Sequence, residues 1–376
     1  MNVLLINYEY PPIGGGAANA TYHIGRCLTN YGHSVTVLTS SFKNKVGCRI
    51  EDGICVYRVM ALRRYDSLSN MLEMFSYVVS ASVALTKILK KHDINVMIVF
   101  FSFPCGPLGL LGKLICGVPY VISLRGGDVP GTEKSLAKIH KIFQPLRRLI
   151  FRHSKAIIAN SEGLRRLAEN ADPFPVKVIP NGVDTGFFAP PETKPKNNGP
   201  FKLLFAGRFQ EQKNLFFLLE EMNILAKEIQ KVFELHIVGN GPLEESLKKH
   251  ANSMEIREKI FWHNWCSKDE LKKKYQQADC LVNPSLYEGM PNVVLEAMAC
   301  ALPVVASRVA GNENVVKHGE TGLLFELNRP KEFRQAVAMI IMDNEQGFRM
   351  GQKGRVLVEN RFSWNRVAQE YIQLFE

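Results

Sequence analysis

The 376-residue chain contains no C-x-x-C pair, no D-x-D and no G-x-G-x-x-G. Its eight cysteines (Cys27, Cys48, Cys55, Cys105, Cys116, Cys266, Cys280 and Cys300) lack metal-ligand spacing and stand mostly among apolar or small residues. That excludes a zinc ribbon and reads as reduced packing residues, not a disulfide frame. No pair of histidines has ligand spacing either, and His33, behind the helix-ending Gly32, reads as structural. The longest apolar tract, Ile94 to Val118, is interrupted by Pro104, Pro107, Lys113 and several glycines, so a strand, a loop and a short helix suit it better than a membrane span. Met1 to Asn7 runs directly into a strand without a basic leader, and no signal peptide is expected. There is no internal repeat and no low-complexity stretch. These absences point to a cytoplasmic protein, soluble or peripheral on a membrane.

Acidic residues are scarce in the first half. Residues 1–180 hold 22 Lys and Arg against 11 Asp and Glu, whereas residues 181–376 balance, so the net charge of +11 belongs entirely to the first half. From Lys134 to Lys155 there is no acid at all. Lys138, Lys141, Arg147, Arg148 and Arg152 alternate there with Ile139, Ile142, Phe143, Leu146, Leu149, Ile150 and Phe151. An amphipathic basic segment of this kind is attracted to an anionic membrane by about 1 kcal/mol per nearby cation. The plainer alternative is a solvated helix face broken at Pro145. Nucleic acid is not an expected partner, because no reading module or interleaved surface aromatics accompany the charge.

What is present is a repeated alternation. Apolar strands are predicted at Val3–Asn7, Ser34–Thr39, Cys55–Val59, Val96–Phe100, Tyr120–Leu124, Ala156–Ala159 and Lys177–Ile179, with a helix after the glycine loop ending at Gly32 and others over roughly 67–92 and 134–152. A second series follows: strands at Lys202–Phe205, Glu234–Val238, Ile260–Trp262, Cys280–Asn283 and Val304–Ala306, with helices near 214–230, 243–252, 268–277 and 292–300. Continuous apolar strands alternating with helices predict two doubly wound parallel sheets, each covered on both faces. The length and the 46% apolar content suffice for two cores. Between the series, residues 181–200 turn to Pro, Gly, Asn and Lys and read as the linker. The expected domains are 1–180 and 181–361, followed by an amphipathic helix over 362–376.

Ligands of such sheets lie beyond the carboxyl ends of the strands. That rim would hold Gly207 and Arg208, Gly239, Asn240 and Gly241, Asn264, and the loop from Pro284 to Glu288. Two carboxylates, Glu288 and Glu296, bracket a turn (Gly289, Met290, Pro291, Asn292) that leads into an apolar helix. An acid on a buried helix costs several kcal/mol unless it is satisfied, and vicinal hydroxyls of a ligand would satisfy it. Arg208 and Lys213, five residues apart across a strand-to-helix turn, are able to bring two cations to one diphosphate. The alternative is a helix-start charge at Glu288, a surface Glu296, and two cations on a solvated face.

The chain resembles the retaining, nucleotide-sugar-dependent glycosyltransferases of family 4, which have the GT-B fold of two Rossmann-like domains facing a cleft. The resemblance rests on signals in fixed order: Gly14-Gly15-Gly16 after the first strand, Gly32-His33, Ile179-Pro-Asn-Gly-Val-Asp184, Ala206-Gly-Arg208 with Lys213-Asn214, Val238-Gly-Asn-Gly-Pro242, and Glu288-x7-Glu296 running into Ala297-Met-Ala299, then Leu302 to Ser307 and Gly319 to Leu323. It covers nearly the whole chain and implies an acceptor-binding first domain, a donor-binding second domain and a last helix returning to the first. By resemblance, Gly15, Gly16, Arg208 and Lys213 bind the donor diphosphate. Glu296 holds the ribose, and Glu288 with the N–H groups of Gly289 to Asn292 holds the sugar. Gly207, Gly239 and Gly241 belong to the same donor set. The missing D-x-D argues against the metal-dependent GT-A architecture, so no metal or other cofactor is expected, and the partners are a UDP- or GDP-sugar and a lipid-linked or envelope glycan.

One departure stands out. Relatives commonly carry a His in a loop that here reads Ser123-Leu-Arg125-Gly-Gly-Asp128-Val-Pro130. Arg donates hydrogen bonds but accepts no proton at neutral pH, so Arg125 is expected to act electrostatically, and the expected catalytic residues are Arg125, Asp128 and Glu288. Asp128 as a simple turn-former is the other possibility. Two functional alternatives stay open: a nucleotide-sugar epimerase or hydrolase on the same fold, and a donor-binding protein with a decayed catalytic loop. A dinucleotide oxidoreductase is disfavoured, since Val37-Leu-Thr39 lacks the acid that should end the second strand.

Overall fold

The computed structural model describes residues 1–41, 46–63, 70–132, 137–192 and 199–376. They form two compact units, Met1–Gly182 with Trp364–Glu376, and Val183–Ser363.

The first unit runs β1 (Asn2–Ile6), α1 (Gly16–Asn30), β2 (Ser34–Ser40), β3 (Gly47–Glu51), β4 (Ile54–Val59), α2 (Met71–Lys91), β5 (Val96–Phe100), α3 (Gly106–Cys116), β6 (Tyr120–Leu124), α4 (Ala137–His153), β7 (Ala156–Ala159), α5 (Glu162–Ala171) and β8 (Val176–Val178). The strands are ordered β3-β4-β2-β1-β5-β6-β7-β8. All neighbours are parallel except β3 and β4. The parallel strands are apolar because both faces are covered: Leu4, Ile6, Met97, Val99 and Ile122 face one core, and Val3, Leu5, Ile98 and Val121 the other. Each such residue, fully buried, contributes about 1.5–3 kcal/mol.

β3 is absent from the sequence expectation. It is a mostly exposed edge strand that closes on β4 through Asp52 and Gly53, both at positive φ (49° and 79°). That Asp-Gly pair is the hairpin signal.

α2 opens on a capping box. Asn70 accepts from the Glu73 N–H while the Glu73 carboxylate accepts from the Asn70 N–H. This reciprocal cap sharply fixes where the helix begins, and its loss costs about 1 kcal/mol. By length and composition α2 could cross a bilayer. It instead buries Tyr77, Ala81, Leu85, Ile88 and Leu89 in the first core, leaving the opposite side exposed.

α4 runs unbroken through Pro145, as the expected helix over 134–152 does, and the break of the alternative reading does not occur. The exposed face carries Lys138, Lys141, Ile142, Arg148, Leu149 and Arg152, while Arg147 turns inward to Asp172 (2.6 Å). Lys134 lies outside the described residues, as do positions 193–198 of the expected linker.

The second unit runs β9 (Phe201–Ala206), α6 (Leu215–Glu228), β10 (Phe233–Val238), α7 (Glu244–Asn252), β11 (Ile260–His263), α8 (Lys268–Gln277), β12 (Cys280–Asn283), α9 (Asn292–Ala299), β13 (Val304–Ser307), α10 (Ala310–Glu313), β14 (Leu323–Phe325), α11 (Pro330–Met342) and α12 (Asn344–Arg361). Its parallel sheet is ordered β11-β10-β9-β12-β13-β14. The described start of the expected linker is packed structure. Val183 N–H donates to Phe362 O (2.7 Å), Phe188 is buried against Tyr275, and Arg355 donates to the carbonyls of Thr185 and Phe188. A buried Phe at 188 outweighs the loop-like composition around it.

The final helix, α13 (Trp364–Gln373), belongs to the first unit. Trp364, Val367, Ala368, Tyr371 and Ile372 complete the core beneath α1, with the Trp364 ring stacked on His23 at 5.2 Å.

Candidate functional site

In each sheet the chain winds one way and then the other from a central strand, and the crevice at that reversal is where ligands of open α/β sheets bind. In the second unit the reversal falls between β9 and β12. Gly207, Arg208 and Lys213 follow β9, and the loop from Pro284 to Pro291 follows β12.

Here Lys213 and Glu288, 75 residues apart, meet: Lys213 Nζ lies 2.6 Å from Glu288 Oε1. Their side chains are 16% and 6% exposed, so the pair is poorly screened and neither charge is cheaply left alone. Lys213 closes a short 3-10 turn, and Asn214, at φ 54°, redirects the chain into α6. Arg208 beside it is exposed and has no ion pair among the described residues.

Glu288 is fixed by a buried polar chain. Ser285 Oγ donates to Glu288 Oε1 (2.7 Å) and is also within 2.9 Å of Asn283 Oδ1. Asn283 Nδ2 donates to Asn312 Oδ1, Asn312 Nδ2 to Ser307 O, and Ser307 Oγ to Ser285 O. Gly311 permits this closeness, since a Cβ there would stand 2.6 Å from Glu288. Sequence reading did not find Asn283, Ser307 or Asn312. Polar side chains ending an apolar strand were the available signal for Asn283 and Ser307; Asn312 had none.

At the far end of the turn, Glu296 is largely buried on α9 and accepts from Tyr275 Oη at 3.0 Å. Burial pushes its carboxyl up to about 7, against the opposing pull of the Tyr275 hydroxyl. Glu288 and Glu296 thus each keep one oxygen without a hydrogen-bond partner among the described residues. Gly289 is exposed and a side chain there would meet open space; the N–H groups of Gly289 and Met290 have no protein partner among the described residues. Pro291 caps α9, whose first residue is Asn292.

Gly239 and Gly241 have a reason internal to the unit. Gly239, at φ 146°, would place a Cβ 1.9 Å from Gly207 O, and Gly241 one 2.4 Å from Phe209 O. The loops after β9 and β10 therefore touch backbone to backbone, which no other residue allows. His263, at the end of β11, pairs with His236 at 3.0 Å and lies near Lys274.

In the first unit the reversal falls between β1 and β5. Gly15 and Gly16 are exposed at the start of α1, where free N–H groups favour anions. The Glu9 carboxylate already stands there, 3.4 Å from Gly15 N and 3.6 Å from the Arg63 guanidinium. Glu9 is a further residue that sequence reading missed.

Asp128 is buried and accepts three main-chain N–H groups, from Ser102 (2.7 Å), Arg125 (3.0 Å) and Gly126 (3.1 Å). Burial raises its carboxyl while these donors pull it down. It ties the end of β6 to the end of β5, which is the work of a positioning residue.

Arg125 points elsewhere than the glycine loop. It donates from Nη1 to Asn181 Oδ1 (2.6 Å) and from Nη2 to Tyr371 Oη (3.2 Å), over the Phe100 ring. Tyr371 also bonds Ser123 (2.6 Å). Arg125 therefore fastens α13 and the chain segment just before Gly182 to the end of β6.

The structure thus combines two doubly wound parallel sheets with a paired cation and carboxylate at the reversal of the second, the layout of a GT-B glycosyltransferase. The profile of glycosyl transferases group 1 matches residues 187–357, and that of glycosyltransferase family 4 matches residues 14–187. The chain belongs to this glycosyltransferase family. Among its relatives are the alpha-maltose-1-phosphate synthase of Mycolicibacterium smegmatis, 26% identical over 100% of this chain and 99% of the relative. Another is the UDP-Gal:alpha-D-GlcNAc-diphosphoundecaprenol alpha-1,3-galactosyltransferase of Escherichia coli, 28% identical over 78% of this chain and 76% of the relative. Among solved structures, the sucrose-phosphate synthase of Thermosynechococcus elongatus superposes with a TM-score of 0.80 at 21% identity, covering 100% and 98% of the two chains.

Proposed function

We propose that the protein is a retaining hexosyltransferase that moves a sugar from a UDP- or GDP-sugar to a lipid-linked or envelope glycan, working peripherally at the inner face of a membrane. The observation that carries this reading is the pair of carboxylates, Glu288 and Glu296, each with an open oxygen, on either side of a turn with free N–H groups, with Lys213 on Glu288. Glu296 receives the ribose hydroxyls. Glu288 and the N–H groups of Gly289 and Met290 receive the sugar. Arg208 and Lys213 take the charge that builds on the leaving diphosphate, the largest electrostatic demand of the reaction, and no metal is required for it. The acceptor oxygen bonds to the anomeric carbon on the face from which the phosphate departs, and that phosphate oxygen takes the acceptor proton. Neither carboxylate then serves as a hydrolytic acid or base. The Escherichia coli relative, named for UDP-Gal and a diphosphoundecaprenol, supports a lipid-linked acceptor.

Arg125 favours a second reading. Its guanidinium is committed to Asn181 and Tyr371, which suits a donor-binding protein without turnover. The two separate in one assay: nucleoside diphosphate release and lipid labelling from UDP- and GDP-sugars, with and without total lipid extract. Extract-dependent release with labelling is the expected result. Saturable binding without release establishes the second reading, and extract-independent turnover an epimerase or hydrolase.

A further inference from the structure

Two helical layers cover the first sheet, and they differ in what they show to solvent. α1 and α13 pack on one face, and among their described residues no large apolar side chain is exposed. α2, α3 and α4 cover the other face, α2 against α3 and α3 against α4. Here apolar side chains stand outward. Leu72, Phe75, Val79 and Val83 of α2 are 78%, 62%, 51% and 69% exposed. They recur at helical spacing, on the side opposite the core residues Tyr77, Ala81 and Leu85. Leu114 and Ile115 at the end of α3, and Ile142 and Leu149 of α4, are exposed as well. Single exposed apolar residues are ordinary, but a set of them on adjoining helices marks an interaction face.

The charge of this layer is one-sided. α2, α3 and α4 contain nine Lys and Arg and a single acid, Glu73, which is buried in the α2 capping box. Arg147 and Arg148 are taken up by Asp172. Lys87, Lys90, Lys138, Lys141 and Arg152 remain exposed without an ion pair among the described residues. On α2, Lys87 and Lys90 continue the apolar stripe towards the helix end, so cation and apolar side chain share one side.

This combination narrows the occupant. A second copy of the chain would bring like charges together. Nucleic acid would find Phe75 as its single exposed aromatic on these helices, where stacking needs several. An anionic bilayer meets both demands, with an acyl boundary for the apolar stripe and headgroup phosphates for the cations.

We infer that the layer of α2, α3 and α4 is the surface of the first unit that lies on an anionic lipid membrane, α2 resting along the interface with its stripe turned into the headgroup boundary. The sequence singled out the segment over 134–155; the fold sets α2, which has the larger apolar share, in the same layer. The inference rests on the peripheral membrane setting of the reading above and not on sugar transfer.

The test sediments the full-length protein with vesicles of phosphatidylcholine and of equal parts phosphatidylcholine and phosphatidylglycerol. Binding is expected on the anionic vesicles and is much weaker on the neutral ones. Lys138→Gln with Lys141→Gln lowers affinity for the anionic vesicles about 25-fold, at about fivefold per cation. Phe75→Ser with Val79→Ser lowers it by about tenfold or more. All four positions are exposed, so melting temperature and UDP- and GDP-sugar binding stay as in the wild type. Val356→Ser, at a 54%-exposed position on α12 of the second unit, leaves affinity unchanged. If one pair fails to fold, the other decides. No binding to either vesicle would overturn the membrane setting together with the inference, whereas binding unaltered in the folded variants would overturn the inference alone. A loss confined to the lysine pair would mark a general polyanion surface and overturn it too, as would self-association that the Phe75 and Val79 pair abolishes in a chain that binds no vesicle. Vesicle binding without nucleoside diphosphate release from any UDP- or GDP-sugar would sink the transfer reading and leave the surface standing.

Discussion

The two sheet reversals share a topology and differ in what lines them. That of the second unit is polar and tightly bonded: Lys213 on Glu288, with Ser285, Asn283, Asn312 and Ser307 behind. That of the first opens into a slot where apolar side chains of α2 and α4 stand together with Glu9, Asp128, His140 and Arg147, in the half of the chain that carries the whole positive excess. One architecture thus carries two differently lined crevices, because the loops, and not the strands, choose the chemistry.

The largest expected effect breaks the polar side of this contrast. Lys213→Ala removes donor binding by a factor of 100 or more in calorimetric titration with UDP- and GDP-sugars. It also strands the Glu288 charge, at a cost of about 3 kcal/mol for a buried pair. Adding Glu288→Gln restores most of the melting temperature and none of the binding. Unchanged donor affinity in the single variant would remove Lys213 from the site.

Asn312→Ala comes next. It leaves Asn283 Nδ2 without its acceptor inside the unit, costing about 1–3 kcal/mol in urea unfolding, and it loosens the Glu288 loop, so donor affinity falls more modestly than with Lys213→Ala. Full affinity at reduced stability would make the amide chain a matter of folding alone.

Arg125→Ala acts on the first unit. Faster hydrogen exchange in α13 is expected, with nucleotide-sugar binding at the second unit unaltered; reduced binding would argue that Arg125 does more than fasten the helix.

The smallest effect is a pH dependence. Glu296 stands at about 7 in the absence of ligand, and hydroxyls that donate to it favour its ionised form. Donor affinity therefore rises as pH climbs towards 7 and levels above it, and Glu296→Gln abolishes the slope. Stability runs the other way. A carboxyl raised from 4.5 to about 7 by folding contributes fully below 4.5, and that contribution is lost as pH rises through 7. A wild-type donor affinity flat between pH 5.5 and 8 would exclude Glu296 from donor contact.

Much of the fold was legible. Strands such as Val96–Phe100 and Cys280–Asn283 are continuous apolar runs because both their faces are buried, and they emerged at the expected residues. β3 was not legible, since an edge strand exposed along most of its length has no apolar pattern; only Asp52-Gly53 marked it. Pro145 suggested a break only in the alternative reading, and the helix expected over 134–152 continues past it. In the candidate site, Lys213, Glu288 and Glu296 were all named, but the bond between Lys213 and Glu288 spans 75 residues and comes from sheet order. Asn312, Tyr275 and Glu9 carry no local pattern. The slot could not be read at all, being assembled from three loops and two helices. Arg125 was legible as an oddity, while its partners Asn181 and Tyr371 were not.

The central claim is that the turn between Glu288 and Glu296, with Arg208 and Lys213, holds the donor. Hydrogen exchange of the full chain, with and without saturating UDP- or GDP-sugar, tests it most directly. The account predicts slowed exchange at Gly289, Met290 and the first turn of α9, together with the segment from Gly207 to Lys213. Donor binding with unchanged exchange across both segments would contradict it.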